Sequence, residues 1–329
     1  EKYGTDAVRL SLVIGSSAGN DMSLYEEKIA GYRNFVNKIW NSARFALMNV
    51  DKKDLSKKFS LSQIKNLEDK WILTELQKLI KEVDKDMAAY RFSEAGTKIY
   101  NFIWLKYCDW YLEISKGEDK NPAVLLHVLK ETLKLLHPFV PFVTETIWGF
   151  VEPKTMLMTQ PWPKPDKKLL FEKESKEMQL IHEIISQIRS IRAELKVEPA
   201  KKIHAIIYAG KFTKNLNSKR EAITRLARLE SLQITATGKK IPNSKAFFVG
   251  KIECYLPLKD MIDTDKERAR IIKQISDTEE QIASIQSKLD NQGFVKNAPK
   301  ELVARERERL VQLKDLLKKQ KTMLMELKS

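Results

Sequence analysis

Residues 23–49, SLYEEKIAGYRNFVNKIWNSARFALMN, decide how this chain is read. At about 100° per residue, Ile29, Tyr32, Phe35, Val36, Ile39, Ala43, Ala46 and Leu47 fall on one side, the core stripe of an amphipathic helix. Ser23 and Glu26 have the spacing of a capping box, which predicts the start of that helix. The opposite side carries Asn34, Asn37, Lys38, Asn41 and Phe45, with Arg33 and Arg44 flanking them. An aromatic ring in the middle of a polar face has no core to join. Amides and a cation can hydrogen-bond base edges and phosphates, an exposed ring can stack on an unpaired base, and the flanking arginines can take phosphates. The same residues admit a plainer reading, in which Phe45 packs under the loop of residues 51–66 and the amides are only solvated.

Around this helix, residues 1–150 read as a bundle. A helix from about Leu67 to Tyr90 places Trp71, Leu76, Leu79, Ile80, Val83 and Met87 on one face. Ser93 is positioned to cap a third helix that buries Ile99, Phe102, Ile103, Trp110 and the aromatics between them. Asn121-Pro122 is a cap followed by a first-turn proline, opening a helix to about His137. His137-Pro138 breaks it, and Pro141 starts a short helix through Trp148. Four or five amphipathic helices with short connections form a bundle.

Pro153, Pro161, Pro163 and Pro165 mark a linker. Helix returns over residues 174–195. The period then changes: residues 204–208, 246–249 and 252–256 are short β-prone runs, with a helix near 219–229 between the first two. From about Thr264, Ile271, Ile275, Thr278, Ile282, Ile285 and Leu289 step by alternating fours and threes. After Asn291-Gln292-Gly293, the same stepping recurs at Val303, Glu306, Leu310, Leu313, Leu317, Gln320, Leu324 and Leu327. Such heptads predict two helices zipped into an antiparallel coiled coil, with Pro299 in the first turn of the second. The expected fold is therefore mainly α: a helical bundle over 1–152, a Pro-containing linker with a small α+β connector over 153–262, and a coiled-coil hairpin over 263–329.

Composition narrows the function. The formal charge is +15, and it is uneven. Residues 1–150 hold 22 Lys+Arg against 20 Asp+Glu, residues 151–250 hold 20 against 10, and residues 251–329 hold 17 against 14. A basic segment between two nearly neutral ones implies a polyanion, most simply nucleic acid. No stretch is apolar enough to span a membrane, and no signal peptide opens the chain. Glu1 is not an initiator Met, so the chain reads as a piece of something longer. Two cysteines, Cys108 and Cys254, cannot build a zinc site of four cysteines, or of three and a histidine; reduced thiols in the cytoplasm are expected. The four histidines have no metal-ligand spacing, and there is no phosphate loop, nucleophile elbow or Cys/His pair. No metal site and no catalytic residue are expected. The hairpin tip, Gly293-Phe294-Val295-Lys296-Asn297-Ala298-Pro299, can staple its own turn or present an apolar wedge to RNA. Arg305 and Arg309, one helical turn apart, can form a phosphate ladder beside it.

These residues resemble a known family. Tyr3-Gly4-Thr5-Asp6-Ala7-Val8-Arg9 resembles the segment after the Lys-Met-Ser-Lys-Ser loop of class I aminoacyl-tRNA synthetases. Gly31 to Asn41 is similar to the first anticodon-domain helix of the valyl, isoleucyl and leucyl group. So are Phe102-Ile103-Trp104 with Tyr107 to Glu113, Leu136 to Phe142 with Thr144-Glu145, and Trp162-Pro163. Ile188-Arg189-Ser190-Ile191-Arg192-Ala193-Glu194 resembles the connector helix of the valyl enzymes. A common bacterial isoleucyl enzyme would end in a cysteine-rich zinc module and a bacterial leucyl enzyme in a domain without heptads, so the hairpin selects the valyl family.

The resemblance implies a helical anticodon-binding domain and a coiled-coil arm that grips the tRNA elbow. Both would serve ATP-dependent aminoacylation, with editing, by a catalytic domain whose His-Ile-Gly-His and Lys-Met-Ser-Lys-Ser motifs are absent from this sequence. It implies a valine-accepting tRNA as partner, a cytoplasmic monomer, and ATP and Mg only in the parent enzyme. The family's anticodon site maps onto Lys38, Asn41 and Phe45 with Asn37 nearby, and its elbow site onto Phe294, Lys296, Arg305 and Arg309. Two readings stay open beside it: a structural or protein-interaction module whose heptads pair with another chain, and a free-standing RNA-binding protein.

Overall fold

The computed structural model describes the chain apart from residues 1, 17–18, 20, 56, 118–119, 262–263, 292–298 and 327–329, and apart from the side chains of 52, 260, 264–270, 300–301 and 323–326. It divides into two compact units: Glu1–Ser186 with Lys214–Ala227, and Gln187–Thr213 with Arg228–Ser329.

The first unit is a helical bundle of α1 (Thr5–Val13), α2 (Glu26–Met48), α3 (Leu67–Ala88), α4 (Phe92–Asn101), α5 (Pro122–Leu136) and α6 (Pro141–Val151). Of the predicted stripes, Phe35, Ile39, Ala43 and Ala46 of α2, Trp71, Leu76, Ile80 and Val83 of α3 and Ile99 of α4 are buried, while Ile29, Tyr32, Val36 and Leu47 of α2 are half-buried; α2 packs on α1, α5 and α6. Phe35 is fully enclosed, worth roughly 2–3 kcal/mol for one such side chain. Asn121 caps α5 by accepting from the Val124 N–H at 3.4 Å, ahead of a first-turn proline.

Two predicted caps are corrected. Helix α2 starts at Glu26 with Tyr25 as its cap, and Ser23 makes no box with Glu26. The Glu26 carboxylate is occupied elsewhere, accepting from Lys2 and, at 2.7 Å, from the Tyr3 hydroxyl. Helix α4 starts at Phe92 with Arg91 as its cap; the Ser93 hydroxyl instead accepts from the Gly15 N–H at 2.9 Å. From Phe102 to Leu112 the chain winds as a π-helix. The i→i+5 bonding widens the turn and re-aims side chains, a departure frequent at functional sites.

The residues behind the family resemblance build this unit. Asp6 accepts from the Phe142 and Val143 N–H groups at 3.3 and 2.7 Å, capping α6 from another helix. Arg9 donates to the Pro138 and Phe139 carbonyls at 3.0 and 3.3 Å. Asp69 is buried, accepting from Tyr111 and Asn121, each at 2.7 Å; burial lifts its carboxyl above the usual range against those bonds. The short helices α8 (Thr213–Ser218) and α9 (Arg220–Ala227) belong largely to this unit. Lys219 meets Glu68 of α3 at 2.8 Å with both side chains buried. Arg225 donates to the Glu113 and Ile114 carbonyls at 2.7 and 3.2 Å.

The second unit holds a four-stranded sheet in the order β2-β1-β4-β3, from β1 (Ile203–Tyr208), β2 (Leu229–Thr235), β3 (Ser244–Val249) and β4 (Ile252–Pro257). Strands β1 and β2 are parallel; β4 is antiparallel to both β1 and β3. Gly250, at φ +57°, sits in the two-residue turn between paired Val249 and Ile252. Arg192, near the end of α7 (Glu172–Glu194), is buried and donates to the carbonyls of Glu198, Lys201 and Arg228, fastening the starts of β1 and β2.

The rest of this unit is a helix pair, α10 (Thr264–Asp290) and α11 (Lys300–Glu326). Ile271, Thr278, Ile285, Val303 and Leu310 are buried, while Ile275, Ile282, Leu289, Glu306, Leu313, Leu317 and Gln320 are half-buried. These are the predicted heptad positions, closed on one another within a single chain. Glu279 and Lys321 join the helices at 2.8 Å.

Candidate nucleic-acid interface

Five of the predicted residues line one open groove of about 400 Å³ in the first unit: Asn34, Asn37, Lys38, Asn41 and Phe45. Helix α2 supplies this wall. Asn34, Asn37 and Asn41 are exposed, whereas Lys38 and Phe45 are half-buried. Ser42 and the far wall, Cys108, Asp109, Leu112, Glu113 and Lys116, complete the lining. That wall is the last turn of the π-helix and the residues after it, placed where i→i+5 winding turns Cys108, Asp109 and Leu112 toward α2.

The charged groups of the groove are paired. Lys38 donates to Asp109 at 2.7 Å and lies over the Trp104 ring, 4.3 Å from its centroid. Glu113 pairs with Lys116. The Cys108 thiol is buried, and burial pushes it up to about 11, so it stays protonated and acts as wall rather than nucleophile.

Arg33 and Arg44 do not line the groove. Arg33 is exposed with its guanidinium over the Tyr3 ring at 5.6 Å. Arg44 lines an adjacent apolar cleft of about 340 Å³ with Trp40, Leu47, Met48, Leu55, Ile147 and Phe150. On the helix pair, Arg305 and Arg309 are both exposed, one turn apart on α11; Phe294 and Lys296 lie outside the described residues. Asp109, Glu113 and Lys116 escaped the reading of residue types. The run Tyr107 to Glu113 was conspicuous only as a family signature, and helical periodicity assigns the wrong faces to a π-helix.

Comparison with known proteins decides the family. Residues 69–207 match the anticodon-binding domain of tRNA ligase, and residues 263–328 match the valyl tRNA synthetase tRNA binding arm. The chain is 37% identical to the valine–tRNA ligase of Geobacter sulfurreducens over 334 residues, spanning 96% of this chain and 38% of that protein. It is 39% identical to the valine–tRNA ligase of Bacillus cereus over 324 residues, spanning 93% and 36%.

The chain belongs to the valyl-tRNA synthetase family.

It carries that family's anticodon-binding domain and tRNA-binding arm, and spans less than two fifths of the curated relatives' length. The far wall of the groove, Cys108 to Lys116, falls inside the matched anticodon-binding domain, whereas α2 precedes it. Among solved structures, an Agrobacterium radiobacter LeuRS-tRNA-LeuAMS ternary complex matches with a TM-score of 0.44 and 24% identity, covering 52% of this chain and 20% of that one. Among the described residues, no helix is long and apolar enough to cross a membrane.

Proposed function

We propose that this chain binds valine-accepting tRNA, reading the anticodon with the α2 groove and the tRNA elbow with the coiled-coil arm. The bound tRNA would be presented to a catalytic domain elsewhere in the protein, which attaches valine at the expense of ATP with Mg. The observation that carries this reading is the convergence of Asn34, Asn37, Lys38, Asn41 and Phe45 on one groove whose opposite wall, Cys108 to Lys116, lies within the matched anticodon-binding domain.

Each residue has a distinct part. Phe45 offers a ring for an unpaired base, and stacking tolerates any base because each has a π-face. Asn34, Asn37 and Asn41 offer donors and acceptors to base edges. Lys38, fixed by Asp109 and Trp104, is a placed donor rather than a mobile phosphate clamp. Phosphates fall to Arg33 and Arg44, which flank the stripe on α2, and on the arm to Arg305 and Arg309, with Lys296 as a further cation and Phe294 as an apolar contact to the tRNA elbow.

Phe45→Ala tests the assignment. It should weaken binding of an anticodon stem-loop by about 1–3 kcal/mol, the usual value of one stacked base, with the circular dichroism of the chain unchanged. Undiminished affinity in a folded variant would remove Phe45 from the site.

A further inference from the structure

The groove is electrically neutral in a strongly basic chain. Its lining holds two cations, Lys38 and Lys116, and two carboxylates, Asp109 and Glu113, although the chain carries a formal charge of +15. Asp109 accepts from Lys38 at 2.7 Å, and Glu113 pairs with Lys116. The carboxylates are not sealed off: the Asp109 and Glu113 side chains are 42% and 39% exposed.

A track for a phosphate backbone is lined with unneutralised lysine and arginine, and a carboxylate on it repels the ligand. Carboxylates do suit base edges. An ionised carboxylate only accepts hydrogen bonds, so its match is an exocyclic amino group, as when Asp or Glu accepts from N4 of cytosine. Uracil puts a carbonyl oxygen where cytosine puts that amino group, setting acceptor against acceptor. Phe45 and the three asparagines across the groove stack and bond a base without regard to that difference.

We infer that Asp109 and Glu113 are specificity-determining residues, which keep the groove for an unpaired base bearing an exocyclic amino group and reject uracil. This rests on the reading of the groove as an RNA site and adds a chemical class of base to it. Lys38 has a supporting part: its ion pair orients Asp109 and prevents the carboxylate from turning away from the base edge.

The test uses the full chain and labelled anticodon stem-loops of valine-accepting tRNA, titrated by fluorescence anisotropy. In one series each amino-bearing anticodon base is replaced in turn by uracil. The unaltered chain should lose about tenfold or more in affinity for at least one replacement. Asp109→Asn keeps the shape but replaces one acceptor with an amide donor, so the penalty at that position should shrink to about threefold or less. Because it also releases Lys38, it should steepen the salt dependence of binding, which a mere loss of folding would not do. Glu113→Gln provides a second variant that leaves the Lys38 pair in place. If both variants keep the full uracil penalty, the inference is overturned while the groove remains an RNA site. If the unaltered chain binds every stem-loop equally, both the inference and the groove reading fail.

Discussion

In both the bundle and the coiled-coil arm buried hydroxyls turn back on their own helix, as Thr132 does to the Val128 carbonyl, but the bundle adds buried pairs that join separate elements. Those pairs span elements far apart in sequence: Glu68 with Lys219, and Asp69 with Tyr111 and Asn121. In the arm, the seam residue Thr278 turns back to its own helix, donating to the Gln274 carbonyl at 2.7 Å. Oxygens of Glu306 and Gln320 are enclosed without a hydrogen-bond partner among the described residues. If the groove discriminates bases as proposed, its side chains must be held by their neighbours, as Lys38 is by Asp109 and Trp104. An arm that meets the sugar-phosphate backbone needs reach and exposed charge, which a two-helix seam supplies.

The contrast predicts where substitution hurts most. Glu68→Ala would strand the buried Lys219 ammonium and should cost the bundle about 3–5 kcal/mol, measured by urea unfolding. The double change Glu68→Leu with Lys219→Met should recover most of that loss. A single Glu68→Ala effect well under 1 kcal/mol would mean that the pair does not bind α3 to the α8–α9 segment.

Acidity should separate the regions next. His127 packs its ring on Phe59 at 4.1 Å, and burial pushes its imidazole down to about 4 from an ordinary 6.5. A depressed imidazole stabilises the fold fully above about 6.5, because only the unfolded chain then takes up the proton as pH falls. The stabilisation is lost as pH drops from 6.5 towards 4, by up to about 3 kcal/mol. Urea midpoints between pH 7 and 5 should fall for the unaltered chain and stay level for His127→Phe; parallel curves would reject this assignment.

The smallest effect is expected on the arm. Arg305→Ala with Arg309→Ala should lower the slope of log affinity against log salt by roughly 1–2 for full-length tRNA. The same pair of changes should leave an isolated anticodon stem-loop unaffected. An equal loss for both ligands would erase the division of labour between bundle and arm.

The same contrast explains what was legible in the sequence. Heptads are local, so the arm's seam is legible residue by residue: the predicted positions from Ile271 to Gln320 are buried or half-buried, while the Leu324 side chain and Leu327 lie outside what the structure describes. The α2 face was legible because one helix carries it. Its opposite wall was not, since Asp109 and Glu113 reach the groove through a π-helix more than 60 residues further on. Strand β2 was missed because its burial does not alternate: Leu229, Leu232 and Ile234 are buried among exposed neighbours directly after a helix. The Ser23 box failed for a tertiary reason, as Lys2 and Tyr3 claim the Glu26 carboxylate.

An α2 groove that reads an anticodon must distinguish two tRNAs that differ only there. The direct measurement is binding of this chain to valine-accepting tRNA and to the same tRNA with its anticodon changed, at low and at physiological salt. A preference for the unchanged anticodon that persists at the higher salt is predicted, because base-edge and stacking contacts survive screening that weakens phosphate contacts. Equal, weak and steeply salt-dependent binding to both would contradict it, and would leave the basic segment of residues 151–250 as the source of the affinity.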